Sequence, residues 1–262
     1  MGCVSESFGA WQLESLIAVG GLGEVWRATR GDQTVALKRL HTHLARNDEA
    51  REMFAQEQLL AMSLPKHPNV VRGIEPGLVD GRPYLALALA PGEDLRRIVM
   101  PPPKGPARAA LSQARALSIV RATCDAAHHL HTYGWIHGDI CPANLIVDDD
   151  RVMLVDLGVA KQPGHAGSVR GTHAYMAPEQ VRGEAWTAAT DVFAIGVVLW
   201  ELAAGKRLFH RGPPWLTMAA VVEEPVPPLP DPVLDAIVQA ALVKDPKDRI
   251  PNARELATRL SN

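Results

Sequence analysis

Residues 137–158 read HGDICPANLIVDDDRVMLVDLG, and the fold turns on how this stretch is read. LIV at 145–147 and VMLV at 152–155 are short apolar runs on either side of a polar DDDR turn, so they are expected to pair as an antiparallel hairpin. Pairing brings their outer ends together, with Asn144 at the entry beside Asp156 at the exit. Two side-chain oxygens then converge where Mg²⁺ can bridge phosphate oxygens. Asp139 lies one loop turn before Asn144, placed to accept a proton from an incoming hydroxyl. The tip carboxylates Asp148, Asp149 and Asp150 are read as turn formers rather than as a second cation site.

Upstream, WQLESLIAV, EVWRATR and TVALKRL alternate with period two around a GGLG turn and a Gly31-Asp32 turn, the pattern of an antiparallel meander. In LIAVGGLGEV at 16–25, missing side chains would let backbone N–H groups approach phosphate oxygens, although a glycine hairpin without a ligand fits those residues equally. The chain continues as strand, with neither the helix of a dinucleotide fold nor a GK[ST] sequence after the glycines. VALK at 35–38 places Lys38 at the end of the next strand, as a phosphate anchor or as an ordinary solvated lysine. In the second case, and in an exposed cleft position generally, its removal would barely change stability. NDEAREMFAQEQLLAMSL at 47–64 has helical spacing, with Asn47 or Asp48 as cap and Glu57 midway, either as a partner of Lys38 or as one more solvated charge.

VVRGIEPGLV and PYLALALA read as further strands, and Pro91-Gly92 ends the second. Beyond residue 94 helices dominate: LSQARALSIVRATCDAAHHLHTYG is a long one, and DVFAIGVVLWELAAG is apolar nearly all round, as a buried central helix is. A small strand-rich lobe with one helix thus precedes a larger, mostly helical one, an α+β arrangement. The Pro-rich stretches at 100–106, 211–214 and 224–232 are read as rigid loops.

A formal net charge of −2 over 262 residues gives no basic stripe, which argues against nucleic acid or an anionic membrane surface as partner. Cys3, Cys124 and Cys141 form no CxxC pair, so neither a disulfide framework nor a zinc site is expected and a cytoplasmic location fits. The longest apolar run, VFAIGVVLW, is too short to span a bilayer, so no membrane anchor is evident. MGCVSE has Glu6 where an acylation pattern needs Ser or Thr, and residues 1–10 are read as an untethered tail.

Taken in order, these elements resemble a eukaryotic-like serine/threonine protein kinase of the bacterial kind, over residues of about 11–260. VALK is similar to the family's lysine strand, HGDICPAN to its HRDxKPxN loop, DLG at 156–158 to its DFG, and GTHAYMAPEQ at 171–180 to the activation segment ending in APE. HGD followed by Asn also occurs in small-molecule phosphotransferases, and GTHAYMAPEQ separates the two readings. The resemblance implies an N-lobe at 11–90, a C-lobe at 91–262, ATP and Mg²⁺ as cofactors, a protein substrate and a regulatory protein partner. It further implies that Lys38, braced by Glu57, anchors phosphates, that Asp139 is the catalytic base, that Asn144 and Asp156 hold the metal, and that Thr172 touches Asp139. By the same resemblance, the nucleotide would meet Ile17, Ala18, Gly20, Gly21 and Gly23 in the loop. Its adenine would lie among Val25, Ala36, Leu87 and Ile146, with backbone bonds from Ala88 to Ala90 and the ribose near Glu93 or Asp94. Arg249 would pair with Glu179.

Four positions depart from the family pattern. Ala18 replaces the first loop glycine, and Leu157 replaces the Phe of DFG. Gly138 replaces the arginine that receives an activation-loop phosphate, so phosphorylation there, with Ser168 as the plausible site, is not expected to be required. Cys141 replaces a lysine at the transferring phosphoryl group, which predicts a slow enzyme or, in the alternative reading, a pseudokinase scaffold that binds ATP without transfer.

Overall fold

The alternation of the first ninety residues is realised as a six-stranded antiparallel sheet. The computed structural model describes residues 6–99, 111–149, 151–166 and 171–261. The chain divides into two compact units, the first comprising the chain to His67 and Val71–Pro91, the second Pro68–Val70 and the chain from Gly92 onward.

In the first unit the strands are β1 (Glu6–Phe8), β2 (Trp11–Val19), β3 (Gly23–Arg30), β4 (Gln33–Leu40), β5 (Gly73–Val79) and β6 (Arg82–Ala88), with helix α1 (Asp48–Ser63) between β4 and β5. Their order across the sheet is β1-β2-β3-β4-β6-β5. Residues directly opposite in an antiparallel pair share a face, so the register sorts the side chains. One face carries Trp11, Leu13, Ala28, Val35, Leu37 and Ala86, which with Phe8 form a buried apolar core. The other face is set by Ala18 opposite Val25, Val25 opposite Lys38, Lys38 opposite Leu85, and Ala36 opposite Leu87.

Helix α1 begins where Asn47 accepts a hydrogen bond from Ala50 N at 2.8 Å, with Asp48 and Glu49 at the positive end of the helix dipole. Its buried positions Ala50, Phe54, Glu57, Leu60 and Ala61 recur at helical spacing, and Glu57 is the one charge among them.

From Glu6 onward, strand β1 corrects the expectation of an untethered tail. Glu6–Phe8 pairs with Trp11–Leu13, Phe8 is only 6% exposed, and Glu6 accepts from Arg39 Nη1 at 2.6 Å. Arg39 is buried, bonds Glu24 as well, and lies over the Phe8 and Trp26 rings. Phe8, the Glu6 carboxylate and a Ser7–Gln12 side-chain pair thus hold a strand too short to show periodicity.

The second unit holds β7 (Glu93–Asp94), α2 (Leu95–Val99), α3 (Gln113–Thr132), β8 (Leu145–Asp148), β9 (Arg151–Leu154), α4 (Pro178–Val181), α5 (Ala188–Ala204), α6 (Pro214–Glu223), α7 (Pro232–Ala241) and α8 (Ala253–Arg259). Helix α5 is buried without interruption from Ala189 to Glu201, as its all-round apolar sequence predicts, and α3 packs against both α5 and α8. Helices α6 and α7 each open on a proline, whose missing N–H has no bond to lose in a first turn, so two of the Pro-rich stretches end as helix starts. The third, MPPPKGP, lies outside the described residues. Arg249 donates to both oxygens of Glu179, at 2.8 and 2.9 Å, in a fully buried bidentate pair. Among the described residues no helix is long and apolar enough to cross a membrane.

Candidate active site

The hairpin forms in the register that the sequence predicts. Leu145 stands opposite Leu154, and Val155 N donates to Asn144 O at 2.9 Å, which sets Asn144 against the residue that precedes Asp156. Asp156 itself is in the left-handed region at φ +64°, and its carboxylate accepts from Gly158 N at 3.3 Å.

The loop before the hairpin hangs from a carboxylate buried in α5. Asp191 is fully buried and accepts from His137 N and Gly138 N, each at 2.9 Å, and from His131 Nε2 at 2.8 Å. Burial pushes the Asp191 carboxyl up, but the bond and charge of His131, with His137 and the Gly138 N–H, more than offset it and hold the group below its ordinary value. Gln180 fixes the same loop from its other side, its amide donating to Gly138 O at 2.9 Å. The sequence reading missed Asp191, His131 and Gln180 as positioning groups. The available signal was an Asp at the head of an otherwise apolar helix, a charge that needs partners when buried.

Asp139 is held from within its own loop and by Thr172. Thr172 N donates to its Oδ1 at 2.9 Å, Asn144 Nδ2 donates to its Oδ2 at 3.0 Å and to its backbone O at 2.9 Å, and its own N–H donates to His137 Nδ1 at 3.2 Å. Burial raises the Asp139 pKa and the Asp156 charge adds to it, against the lowering effect of the Thr172 and Asn144 bonds. With its NH₂ committed to Asp139, Asn144 offers its amide oxygen as a ligand. That oxygen and the Asp156 carboxylate are hard donors of the kind Mg²⁺ takes.

Thr172 reaches Asp139 through its backbone, while its hydroxyl donates to Cys141 Sγ at 3.4 Å. Cys141 is 1% exposed, and burial, then the Asp139 charge, push its thiol up to about 12. A neutral thiol therefore stands at this position at physiological pH.

In the first unit Lys38 Nζ lies 2.6 Å from Glu57 Oε1, with Lys38 8% and Glu57 2% exposed. This corrects the solvated readings of both: β4 and α1 bury the two charges against each other. Val25, Ala36 and Leu87 share the sheet face of Lys38, and Ile17 and Ala18 lie exposed at the end of β2 before Gly20, Gly21 and Gly23. Ala88 N donates to Arg72 O at 2.8 Å, and Ala90 follows two residues beyond β6. In the second unit Ile146 pairs with Asp94, whose carboxylate accepts from Arg97 N at 3.0 Å and so caps α2.

Residues 11–258 match the family description "protein kinase domain". The chain is 35% identical over 274 residues to a probable serine/threonine-protein kinase of Corynebacterium efficiens, covering 95% of this chain and 40% of the relative. It is 31% identical over 273 residues to serine/threonine-protein kinase PknJ of Mycobacterium tuberculosis, covering 95% and 44%, and 33% identical to PknB of Mycolicibacterium smegmatis, covering 94% and 41%. It thus spans less than half the length of these relatives. With the match running through the lysine strand, the hairpin and the Asp139 loop, the chain belongs to the serine/threonine-protein kinase family of phosphotransferases.

Proposed function

We propose that this domain, at about residues 11–260, transfers the γ-phosphoryl of Mg·ATP to a serine or threonine hydroxyl of a protein, under the control of a regulatory protein partner. Asp139 orients the hydroxyl and takes its proton. Asn144 and Asp156 hold Mg²⁺, which supplies charge neutralisation at the phosphate oxygens, and Lys38 anchors the α- and β-phosphates. Thr172 fixes Asp139. The apolar residues Val25, Ala36, Leu87 and Ile146 receive adenine. The single observation that carries this reading is the orientation of Asp139, bonded on one oxygen by Thr172 and on the other by an Asn144 that the hairpin sets beside Asp156. The free, buried thiols of Cys124 and Cys141 fit a reducing, cytoplasmic setting.

Transfer is slow in this proposal, because no cation stands at Cys141. Loss of one preorganised donor elsewhere costs roughly 10²–10³ in rate. The neutral thiol also favours a second reading, a scaffold that binds nucleotide and partners without transfer. Labelled-ATP transfer to a generic protein substrate and to the chain itself, run beside Asp139→Asn, separates the two. Transfer that disappears in the variant supports the enzyme, while nucleotide binding with no transfer in either protein supports the scaffold.

A further inference from the structure

His41, which directly follows β4, makes two bonds to the glycine-rich turn. Its backbone N donates to Leu22 O at 2.9 Å, and its ring Nε2 lies 2.9 Å from Gly20 O. A carbonyl only accepts, so the ring is the donor. The His43 ring stacks on it at 5.3 Å with an 18° tilt, which limits rotation of the donor. Within the turn, Gly20 N donates to Gly23 O at 2.8 Å.

The glycines of this turn differ in what the fold demands of them. A Cβ at Gly23 would sit 2.2 Å from Arg39 O, so the close approach of β3 to β4 requires glycine there. A Cβ at Gly21 would meet nothing within 4 Å, and one at Gly20 only Gly23 O at 3.7 Å. Neither of these two glycines is forced by packing or by positive φ. Their effect is to keep side chains clear of the turn's backbone, and also to raise the entropy cost of ordering it beyond what the single Gly20–Gly23 bond offsets.

We infer that His41 is a positioning residue that pins the carbonyl side of the glycine-rich turn, presetting its N–H groups for the phosphates of the nucleotide. The inference rests on the Mg·ATP reading above and adds to it a residue outside the loop. Holding the turn in its bound shape before the ligand arrives removes ordering entropy from the binding step. The effect belongs to the phosphates and not to the adenine, whose proposed seat is the sheet face of Val25, Ala36 and Leu87.

The test compares wild type, His41→Ala and His41→Gln, the last keeping a side-chain N–H donor. Loss of one such bond is expected to weaken Mg·ATP binding about 3- to 10-fold. Adenosine affinity and the thermal midpoint should stay unchanged, KM for ATP should rise with kcat nearly constant, and His41→Gln should recover part of the loss. In the nucleotide-free protein, hydrogen exchange at Gly21 and Leu22 should quicken in His41→Ala. Unchanged exchange and ATP affinity in His41→Ala overturn the inference, as does an equal loss of adenosine and ATP affinity, which marks a general structural role. Failure of the wild type to bind Mg·ATP is a failure of the kinase reading itself, and it is seen separately because the exchange measurement needs no nucleotide.

Discussion

Trp186 fills the place that a side chain at Gly138 would need. A Cβ at Gly138 would lie 2.2 Å from the indole Cζ3, and the residue's φ of +75° admits glycine best. The same tryptophan is also tied by its backbone to the loop after Asp156, accepting from Gly164 N at 3.0 Å and donating to His165 O at 3.2 Å. Where the family pattern has an arginine to receive a phosphate, this chain has an indole that is buried and already packed.

Phosphatase-treated protein is therefore expected to transfer phosphate at the rate of untreated protein. Ser168, the modification site proposed from sequence, lies outside the described residues, and Ser168→Ala should likewise match. Rates that collapse on dephosphorylation would show another cation acting in the arginine's stead. Gly138→Arg should not install phosphate control. The strained φ and the overlap with Trp186 should lower the unfolding free energy by about 2–4 kcal/mol, read from the denaturant midpoint.

The Lys38–Glu57 pair gives a prediction opposite to that for an exposed lysine. Both groups are buried, and removing the cation leaves Glu57 without its 2.6 Å partner. Lys38→Met is expected to abolish transfer and also to destabilise the apo protein by about 3–5 kcal/mol. Lys38→Met combined with Glu57→Leu should recover most of that stability but no activity. A single variant with an unchanged thermal midpoint would show that the pair is not closed in solution.

Asp139 fixes a pH dependence. Its pKa is raised by burial and by Asp156, and in the role of base proposed for it the carboxylate must be ionised to accept a proton. The acidic limb of kcat/KM should therefore lie above the ordinary carboxylate range. A raised folded-state pKa also means that the folded chain binds a proton more readily than the unfolded one. The stability this contributes is present in acid and is lost as pH rises from the ordinary Asp value through the raised one. Asp139→Asn removes that titration, so wild type should lose stability relative to the variant across the window. Parallel denaturation curves of the two proteins at every pH would contradict the burial of an ionisable Asp139.

The parts of this site that were legible in the sequence are those set by local chemistry. Two apolar runs around DDDR determine a register, and the register alone places Asn144 near Asp156. What was not legible depends on segments far apart in sequence. Asp191 holds His137 and Gly138 from more than fifty residues away, and only the packing of α5 brings it there. Burial of Lys38 needs helix α1, packed on β5 and β6, to bring Glu57 to it, which no pattern within VALK encodes. Strand β1 has three residues, fewer than a period-two signal needs, and is held by Phe8 and by Glu6 on Arg39.

Cys141 is the position at which the rate should be recoverable. The thiol is buried, is pushed up to about 12 and accepts the Thr172 hydroxyl, so at neutral pH it offers no charge to a phosphoryl group. It sits two residues from Asp139, whose own charge further discourages the thiolate. Cys141→Lys should raise kcat by one to three decades, about 1.4–4 kcal/mol of transition-state stabilisation, with little change in ATP affinity. The new ammonium favours ionised Asp139, so the acidic limb of the pH profile should move down in the same variant. Cys141→Ser, which changes size little and adds no charge, should leave both the rate and the limb where they are. Iodoacetamide should modify Cys141 slowly in the free protein and more slowly with Mg·ATP present. If Cys141→Lys binds ATP and still transfers nothing, the missing cation is not what limits the chain, and the scaffold reading replaces the catalytic one.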